Sequence, residues 1–383
     1  MRDTFLPFCK PAITEDDAQA VHDVLLSSWI TTGPWCAEFE DNFCKYTGAK
    51  YAVGLTSATA GMHLLMKALE IGPGDEIITP SLTWVSTINM ITLAGATPVF
   101  ADIDRDTLMI TADTVRKCIT PKTKLIIPVH YAGSSADLDS INELADKHNI
   151  TVVEDAAHAL GTFYKGRHIG GGQNTAIYSL HPIKNITTGE GGMFTSNDPE
   201  LIEKIKRLKF HGLGVDAFDR KTQGRAPQAQ VVEPGFKYNM TDISAVLGVK
   251  QLAKINELNA ERTRIAMMYR AKLKNIDGIS LLKDPDYDFV HAWNLFIIRV
   301  VSDKISRNKF MEELKKLNIG TGLHFLAAHV QKYYLETIRV EPGSLVNTEW
   351  NSDRMCSIPL FPGMTEADVD DVVEAIKNVL SKA

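Results

Sequence analysis

The sequence predicts an α/β protein built on a mainly parallel sheet with helices on both faces. Short, almost wholly apolar segments alternate with helical patterns through the first two thirds of the chain. Strands with this composition are buried on both faces, which is typical of parallel sheets. The pattern then changes to longer helices with one further strand, which predicts a smaller α+β domain. We place the boundary so that residues 1–245 form the large domain and 246–383 the small one.

The strands of the large domain are predicted from apolar runs bounded by turn residues. They fall at 51–56, 75–80, 97–102, 124–130, 150–155 and within "NTAIYSLHP" at 174–182. Helical patterns separate them at 62–70, 84–95, 111–119 and 136–149. A first helix is predicted from Thr14, whose hydroxyl can cap it, to about Ser28.

The remainder of the chain begins with a long polar loop at 211–235, a length that is often functional or mobile. Residues 240–273 read as one continuous helix that could bridge the two domains. A strand at 291–300 and helices at 306–318 and 365–382 complete the small domain.

Composition excludes several classes of function. The net charge is −6 and basic residues are dispersed, so neither a nucleic-acid partner nor an anionic membrane surface is expected. No apolar run predicts a signal peptide or a membrane span. Five cysteines without any C-x-x-C spacing indicate reduced thiols in a cytoplasmic protein. The histidines and cysteines show no metal-ligand spacing, so no metal is expected.

The chemistry is expected beyond the carboxyl ends of the strands, where parallel sheets bind their ligands. Lys184 follows the strand in "NTAIYSLHP" and precedes a Thr- and Gly-rich run, so it could be a nucleophile rather than a surface charge. "TSATAG" at 56–61 places Ser57, Ala58 and Thr59 at a helix start, which suits either a phosphate or an ordinary helix cap.

Two further strand ends carry candidate residues. Asp155 ends a buried strand, where a carboxylate needs a partner; capping, ion pairing and catalysis all remain possible from this fragment. Trp84 follows another strand and could pack in the core or stack on a flat cofactor. Taken together, these features suit pyridoxal phosphate. Lys184 would form the Schiff base, Asp155 would pair with the pyridine nitrogen, and Ser179 would join the phosphate site.

Three motifs carry a resemblance to a known family: "EDAAHALG", "HPIKNITTGEGG" and "FKYNMTD". They resemble the DegT/DnrJ/EryC1/StrS sugar-nucleotide aminotransferases, and the resemblance covers essentially the whole chain. It implies the fold-type I architecture with a seven-stranded sheet, a homodimer with shared active sites, and pyridoxal 5'-phosphate as cofactor. Dehydratases of the same family lack the lysine, so Lys184 argues against that alternative.

The resemblance also implies a reaction. An amino group would move from L-glutamate to the 4-keto carbon of a UDP-4-ketopentose, with 2-oxoglutarate as the second product. The product sugar would serve lipid A and lipopolysaccharide modification, and hence resistance to polymyxin antibiotics. The alternative is another keto-sugar nucleotide, such as a 4-ketohexose, in surface polysaccharide synthesis.

Further site residues are implied by the same resemblance. His158 would contact the ring hydroxyl of the cofactor, and Asn239 would reach the phosphate bound by the neighbouring subunit or, alternatively, cap a helix. The resemblance also implies five residues that would line the substrate pocket: Trp29, Thr31, Arg225, His324 and His329. Each of them could instead have an ordinary structural role or be a solvated surface residue.

Overall fold

The computed structural model describes residues 2–213 and 230–382. Its strands, numbered in chain order, are β1 Tyr51–Leu55, β2 Glu76–Pro80, β3 Thr97–Ala101, β4 Thr123–Ile126, β5 Thr151–Asp155, β6 Phe163–Tyr164, β7 Arg167–His168, β8 Thr175–Ser179, β9 Gly192–Ser196, β10 Ile279–Leu281, β11 Phe289–Val290, β12 Phe296–Val300 and β13 Met355–Ile358.

The described α-helices are α1 Glu15–Leu26, α2 Pro34–Thr47, α3 Ala58–Ala68, α4 Val85–Leu93, α5 Ala112–Arg116, α6 Leu138–His148, α7 Pro199–Leu208, α8 Asp242–Ala253, α9 Ile255–Leu273, α10 Arg307–Lys316, α11 Lys332–Thr337, α12 Val346–Ser352 and α13 Glu366–Lys382. The first residues of several of these helices are set by local capping interactions. Thr14 caps α1 through a reciprocal pair of hydrogen bonds with Asp17, as its sequence context predicts.

The central sheet has seven strands in the order β1-β9-β8-β5-β4-β2-β3. The pairs among β3, β2, β4, β5 and β8 are parallel, whereas β9 runs antiparallel to both β8 and β1. The prediction of a mainly parallel seven-stranded α/β sheet is therefore confirmed. The carboxyl ends of β2, β5 and β8 meet at one edge, which brings the sequence-distant candidate residues together.

A second hydrophobic core lies around the antiparallel sheet β10-β12-β13 and the helices α9, α10 and α13. Leu6, from the start of the chain, belongs to this core and pairs with Ile319. A smaller sheet, β11-β6-β7, joins residues on both sides of the predicted domain boundary. That boundary, between 245 and 246, stays a prediction and falls inside α8.

The structure differs from the sequence prediction at two segments. The helix expected over 240–273 is two helices, α8 and α9, divided at Lys254, where the backbone leaves helical geometry and the ammonium binds the buried carboxylate of Asp17 at 2.7 Å. The strand expected over 291–300 is formed only at β12. The preceding residues instead bond the loop at 132–133, through Ala292 N–H and Leu295 N–H.

None of the helices in 2–213 and 230–382 is long and apolar enough to cross a membrane. Over the same residues, no group of three or more His, Cys, Asp or Glu side chains is arranged to hold a metal ion.

Candidate active site

A cavity of about 510 Å³ lies at the carboxyl-end edge of the central sheet. Nine of the residues nominated from the sequence line it: Ser57, Ala58, Thr59, Trp84, Asp155, His158, Ser179, Lys184 and His324. These residues come from five separate stretches of chain, and the topology of the sheet is what brings most of them to one place.

Lys184 lies in a tight turn after β8, closed by its own N–H, which donates to the carbonyl of His181 at 2.9 Å. Its side chain is half-buried in the cavity wall, and no described residue accepts a hydrogen bond from its Nζ. Loss of hydration lowers the pKa of Lys184 to about 8, although the negative charge of Asp155 opposes this shift. A substantial fraction of the amine is therefore neutral near physiological pH, as a nucleophile requires.

Asp155 is the last residue of β5 and is buried. One carboxylate oxygen accepts the hydroxyl of Thr87 at 2.9 Å and the other accepts the N–H of Ala157 at 3.2 Å. Burial nevertheless raises the pKa of Asp155, because these bonds and the charge of Lys184 only partly replace lost hydration. A cation bound in the cavity would complete its set of partners.

His158 follows β5 and is also buried. Its Nδ1 accepts the N–H of Ala132 at 3.2 Å, so in the neutral ring the proton is on Nε2. Burial and the charge of Lys184 hold the pKa of His158 well below its usual range, which keeps the ring neutral. The ring stacks on Phe325 with centroids 5.8 Å apart. His158 is thus a neutral donor fixed in the cavity wall.

The start of α3 forms another wall of the cavity. Ser57 caps this 11-residue helix by accepting the N–H of Ala60 at 3.0 Å, so the expected cap role is real. Ala58 and Thr59 occupy the first turn, where helix N–H groups favour an anion. The cap does not exclude an anion at this helix start, since Ser57 uses only the N–H of Ala60 and leaves the other N–H groups of the first turn.

Gly192 explains the glycine pair in "GEGG". A Cβ at this position would lie 2.4 Å from the carbonyl carbon of Ser57 and 2.5 Å from the nitrogen of Ala58. Only glycine allows β9 to pass this close beneath the start of α3. The glycine therefore sets the position of the helix start relative to β8 and Lys184.

Trp84 is 59% exposed, so the alternative of core packing is wrong. It precedes α4 and lines the cavity, with its ring 5.7 Å from that of Phe325. An indole in this position presents a flat face to a bound ring.

Four other nominated residues do not line the cavity. The amide of Asn239 donates to Thr32 Oγ1 at 2.6 Å, and Thr241, not Asn239, caps α8. His329 is buried against Ser81. Trp29 donates to the carbonyl of Thr32, and the carbonyl of Thr31 accepts the N–H of Asp242. Both hydrogen bonds lie near the first residues of α2 and α8.

His324 does reach the cavity, where its Nδ1 bonds Ser357 at 2.8 Å. Burial, with a smaller effect from Lys184, lowers the pKa of His324 to about 4. Arg225 lies outside the described residues.

Sequence reasoning missed several lining residues. We define the second wall as Phe8, Leu323, His324 and Phe325, which line the cavity from two distant parts of the chain; only His324 had been nominated. Thr87, His181 and Glu190 also line the cavity.

The donor set fits pyridoxal phosphate. A helix start suits its phosphate, a buried carboxylate suits its protonated ring nitrogen, a neutral histidine can donate to its ring oxygen, and an unpaired lysine suits its aldehyde. The buried acid, whose pKa is raised by burial although Lys184 lies nearby, is the observation that distinguishes this site from a generic pocket.

The chain is similar to proteins of known type. The profile of the DegT/DnrJ/EryC1/StrS aminotransferase family matches residues 11–377. A relative from Shewanella sediminis (strain HAW-EB3), UDP-4-amino-4-deoxy-L-arabinose–oxoglutarate aminotransferase, is 56% identical over 386 residues and 99% of each chain.

Solved structures agree with this. The PLP form of Spr1654 from Streptococcus pneumoniae is 32% identical, with a TM-score of 0.90 over 99% of each chain. Helicobacter pylori PseC, an aminotransferase involved in the biosynthesis of pseudoaminic acid, is 28% identical, with a TM-score of 0.91 over 100% of each chain.

Proposed function

The chain belongs to the DegT/DnrJ/EryC1/StrS aminotransferase family, and from that premise we propose that it moves the amino group of L-glutamate to the 4-keto carbon of a UDP-4-ketopentose. The chain is a pyridoxal-phosphate-dependent sugar aminotransferase. The proposed products are UDP-4-amino-4-deoxy-L-arabinose and 2-oxoglutarate. The name of the Shewanella relative, together with 56% identity along 99% of both chains, supports this choice of substrate.

The observation that carries the chemistry is that Lys184 and Asp155 face one cavity from neighbouring strands of the sheet. Pyridoxal phosphate, when bound, supplies an aldehyde that reacts with amines and a ring that acts as an electron sink. Asp155 would hold the ring-nitrogen proton that this sink requires. The start of α3 would bind the phosphate, and His158 would donate its Nε2 proton to the ring oxygen.

Lys184 would act twice. Its neutral amine would hold the cofactor through its aldehyde and, when released from it, would act as a proton carrier. The freed amine would take a proton from Cα of glutamate in the first half of the reaction. In the second half it would deliver a proton to C4 of the sugar. One side chain can do both because its pKa of about 8 lets it bind and release a proton near neutral pH.

Three parts of the proposal concern the setting of the reaction. We place the enzyme in the cytoplasm, as a homodimer in which Asn239 reaches the phosphate site of the partner subunit. Within its own chain that amide bonds Thr32 and lies outside the cavity, which is compatible with a role at a neighbouring site. The amino sugar would serve lipid A modification and polymyxin resistance.

A second candidate substrate is a 4-ketohexose nucleotide. The full-length match to PseC, with its TM-score of 0.91, shows that the same fold supports more than one sugar pathway. The substrate is therefore the part of the proposal that most needs a direct test.

The test combines one spectral and one product measurement on the purified enzyme. Glutamate should bleach the absorbance of the lysine-bound cofactor and release 2-oxoglutarate. UDP-4-ketopentose should then restore the absorbance and be aminated faster than TDP- or GDP-4-ketohexoses. Faster amination of a ketohexose would overturn the substrate assignment. Borohydride label found on no lysine, or on one other than Lys184, would overturn the chemistry.

A further inference from the structure

Polar side chains of α9 and of the segment 292–294 form hydrogen bonds with the main chain around Lys184. The carbonyl of Ile183 accepts the Nδ2 of Asn294 at 3.2 Å. The carbonyl of Lys184 itself accepts an Nη2 hydrogen of Arg262 at 3.5 Å. Neither donor lines the cavity itself.

The next residue is held in the same way. Asn185 is buried, and its Nδ2 donates to Asn259 Oδ1 at 2.6 Å and to the carbonyl of Ala292 at 2.7 Å. Its Oδ1 accepts the Nδ2 of Asn294 at 3.0 Å. Three consecutive residues, 183–185, are thus tied to α9 and to the segment 292–294.

Arg262 stands out within this set because it is 1% exposed and forms no ion pair with a carboxylate among residues 2–213 and 230–382. Its Nη1 donates to the carbonyls of Trp293 at 3.4 Å, Asn294 at 3.3 Å and Leu360 at 3.2 Å. Burial of a cation without a carboxylate partner is costly, and four convergent carbonyl oxygens, with the side chain of Cys9, compensate for it. The same cation stabilises those oxygens against their mutual repulsion.

We propose that Arg262 is a positioning residue for Lys184. It fixes the main chain of the lysine to α9 and to the segment at 293–294, so that Nζ is aimed at the cofactor carbonyl and the reacting carbon. The inference rests on the proposed role of Lys184. Its physical basis is that a displacement of about 1 Å in a reacting group can cost roughly 10²-fold in rate.

The experiment measures how fast added pyridoxal phosphate becomes covalently attached to Lys184 in cofactor-free protein, by borohydride trapping and peptide mapping. Arg262→Met should slow attachment by about 10-fold or more, because the lysine samples unproductive positions. Arg307→Met is the matched control. Arg307 is also buried and donates to two carbonyls, of Ser352 and Met355 at 3.0 Å, but none of its described hydrogen bonds goes to a residue that lines the cavity.

The control should keep its attachment rate within about threefold of wild type even where thermal unfolding shows a comparable loss of stability. Equal slowing in both variants, or wild-type attachment in Arg262→Met, overturns the inference. If wild-type protein carries no label at Lys184, it is the proposed function that fails.

A second variant covers the case in which Arg262→Met does not fold. Asn294→Ala removes the bonds to Ile183 and Asn185 but leaves Arg262 in place. It should slow attachment by a smaller factor, about threefold to tenfold, with native circular dichroism. A folded Asn294→Ala protein that attaches the cofactor at the wild-type rate would contradict the idea that this network positions Lys184.

Discussion

Two buried carboxylates sit side by side on β5 and face opposite sides of the sheet. Glu154 is 1% exposed, and its Oε2 accepts the N–H of Gly170 at 3.2 Å and lies 3.1 Å from Nε2 of His130. The Nδ1 of that histidine accepts the N–H of Ala136 at 3.1 Å, so its Nε2 proton points to the carboxylate. The carboxylate of Glu154 therefore has its hydrogen-bond partners within the chain.

Asp155, one residue later, has a hydroxyl and one N–H as partners, and the lysine that faces it across the cavity forms no ion pair with it. Burial raises its pKa because these contacts do not replace its hydration. The contrast supports the proposal that Glu154 is a structural acid and Asp155 a functional one. The structural acid is satisfied by the fold, whereas the functional acid is left for a ligand to satisfy.

The largest effect on the transamination rate is expected from substitution of Lys184, which faces Asp155 in the cavity. Lys184→Ala should reduce transamination by roughly 10⁴-fold or more, since it removes both the nucleophile and the proton carrier. Lys204→Ala, on α7, is the control, because that ammonium contacts Ala68 and Glu70 away from the cavity and should leave the rate unchanged. Full activity of purified Lys184→Ala would remove Lys184 from the mechanism.

The two acids of β5 should respond in opposite ways. Asp155→Asn should lower the transamination rate by roughly 10²–10³-fold, because the amide cannot stabilise a protonated ring nitrogen. Its free energy of unfolding should change by less than about 1 kcal/mol, since the weakening of two accepted hydrogen bonds is offset by removal of a carboxylate whose charge is disfavoured by burial. Kinetics and denaturant unfolding would be measured on the same preparations.

Glu154→Gln should do the reverse. Its rate should stay within about threefold of wild type, while unfolding becomes easier by about 1–3 kcal/mol because a charged acceptor of two buried hydrogen bonds is lost. If Glu154→Gln lost as much activity as Asp155→Asn, the assignment of different roles to the two acids would be wrong.

A smaller effect concerns pH. The pKa of Lys184, lowered to about 8 from an ordinary 10.5, means that the amine becomes neutral as pH rises through 8. In cofactor-free protein, an amine-acylating reagent should therefore modify Lys184 with a midpoint near pH 8, while exposed lysines respond near 10.5. Below the midpoint the rate should fall about tenfold per pH unit. Mass spectrometry of the modified peptides reports each lysine separately, and a Lys184 midpoint near 10.5 would contradict the assignment.

The smallest effect should come from the hydroxyl that holds Asp155. Thr87→Val removes the 2.9 Å bond to this carboxylate and should cost up to about tenfold in rate. Thr79→Val is the matched control, since Thr79 is equally buried but donates to the carbonyl of Ile127. Both variants should lose similar stability. A rate loss in Thr79→Val equal to that in Thr87→Val would show that the hydroxyl has no specific role.

Local sequence was sufficient for six of the seven strands of the sheet and for the residues at the ends of its parallel strands. Asp155 and Lys184 could be predicted because a polar residue after a buried strand falls on the ligand-binding edge whatever the rest of the chain does. The antiparallel strand β9 was missed because its glycine-rich start resembles a turn; only the close approach of Gly192 to Ser57 explains those glycines.

The second wall could not be predicted for a different reason. Phe8 and Phe325 are separated by more than three hundred residues, and nothing in the sequence near either of them indicates that both line one cavity. His329 and His324 show the same limit. They are five residues apart and both are buried, yet only His324 turns toward the cavity.

The pairing of the first residues with the second core has a consequence for synthesis. Leu6 exchanges backbone bonds with Asn318 and Gly320, and the carbonyl of Phe8 accepts the N–H of Leu360 at 3.0 Å. A chain still emerging from the ribosome can therefore form most of the sheet, but it must keep its leading segment unpaired until some three hundred and fifty residues have followed. The binding pocket is completed late in translation, so premature termination would leave a nearly whole polypeptide without an enclosed cofactor site.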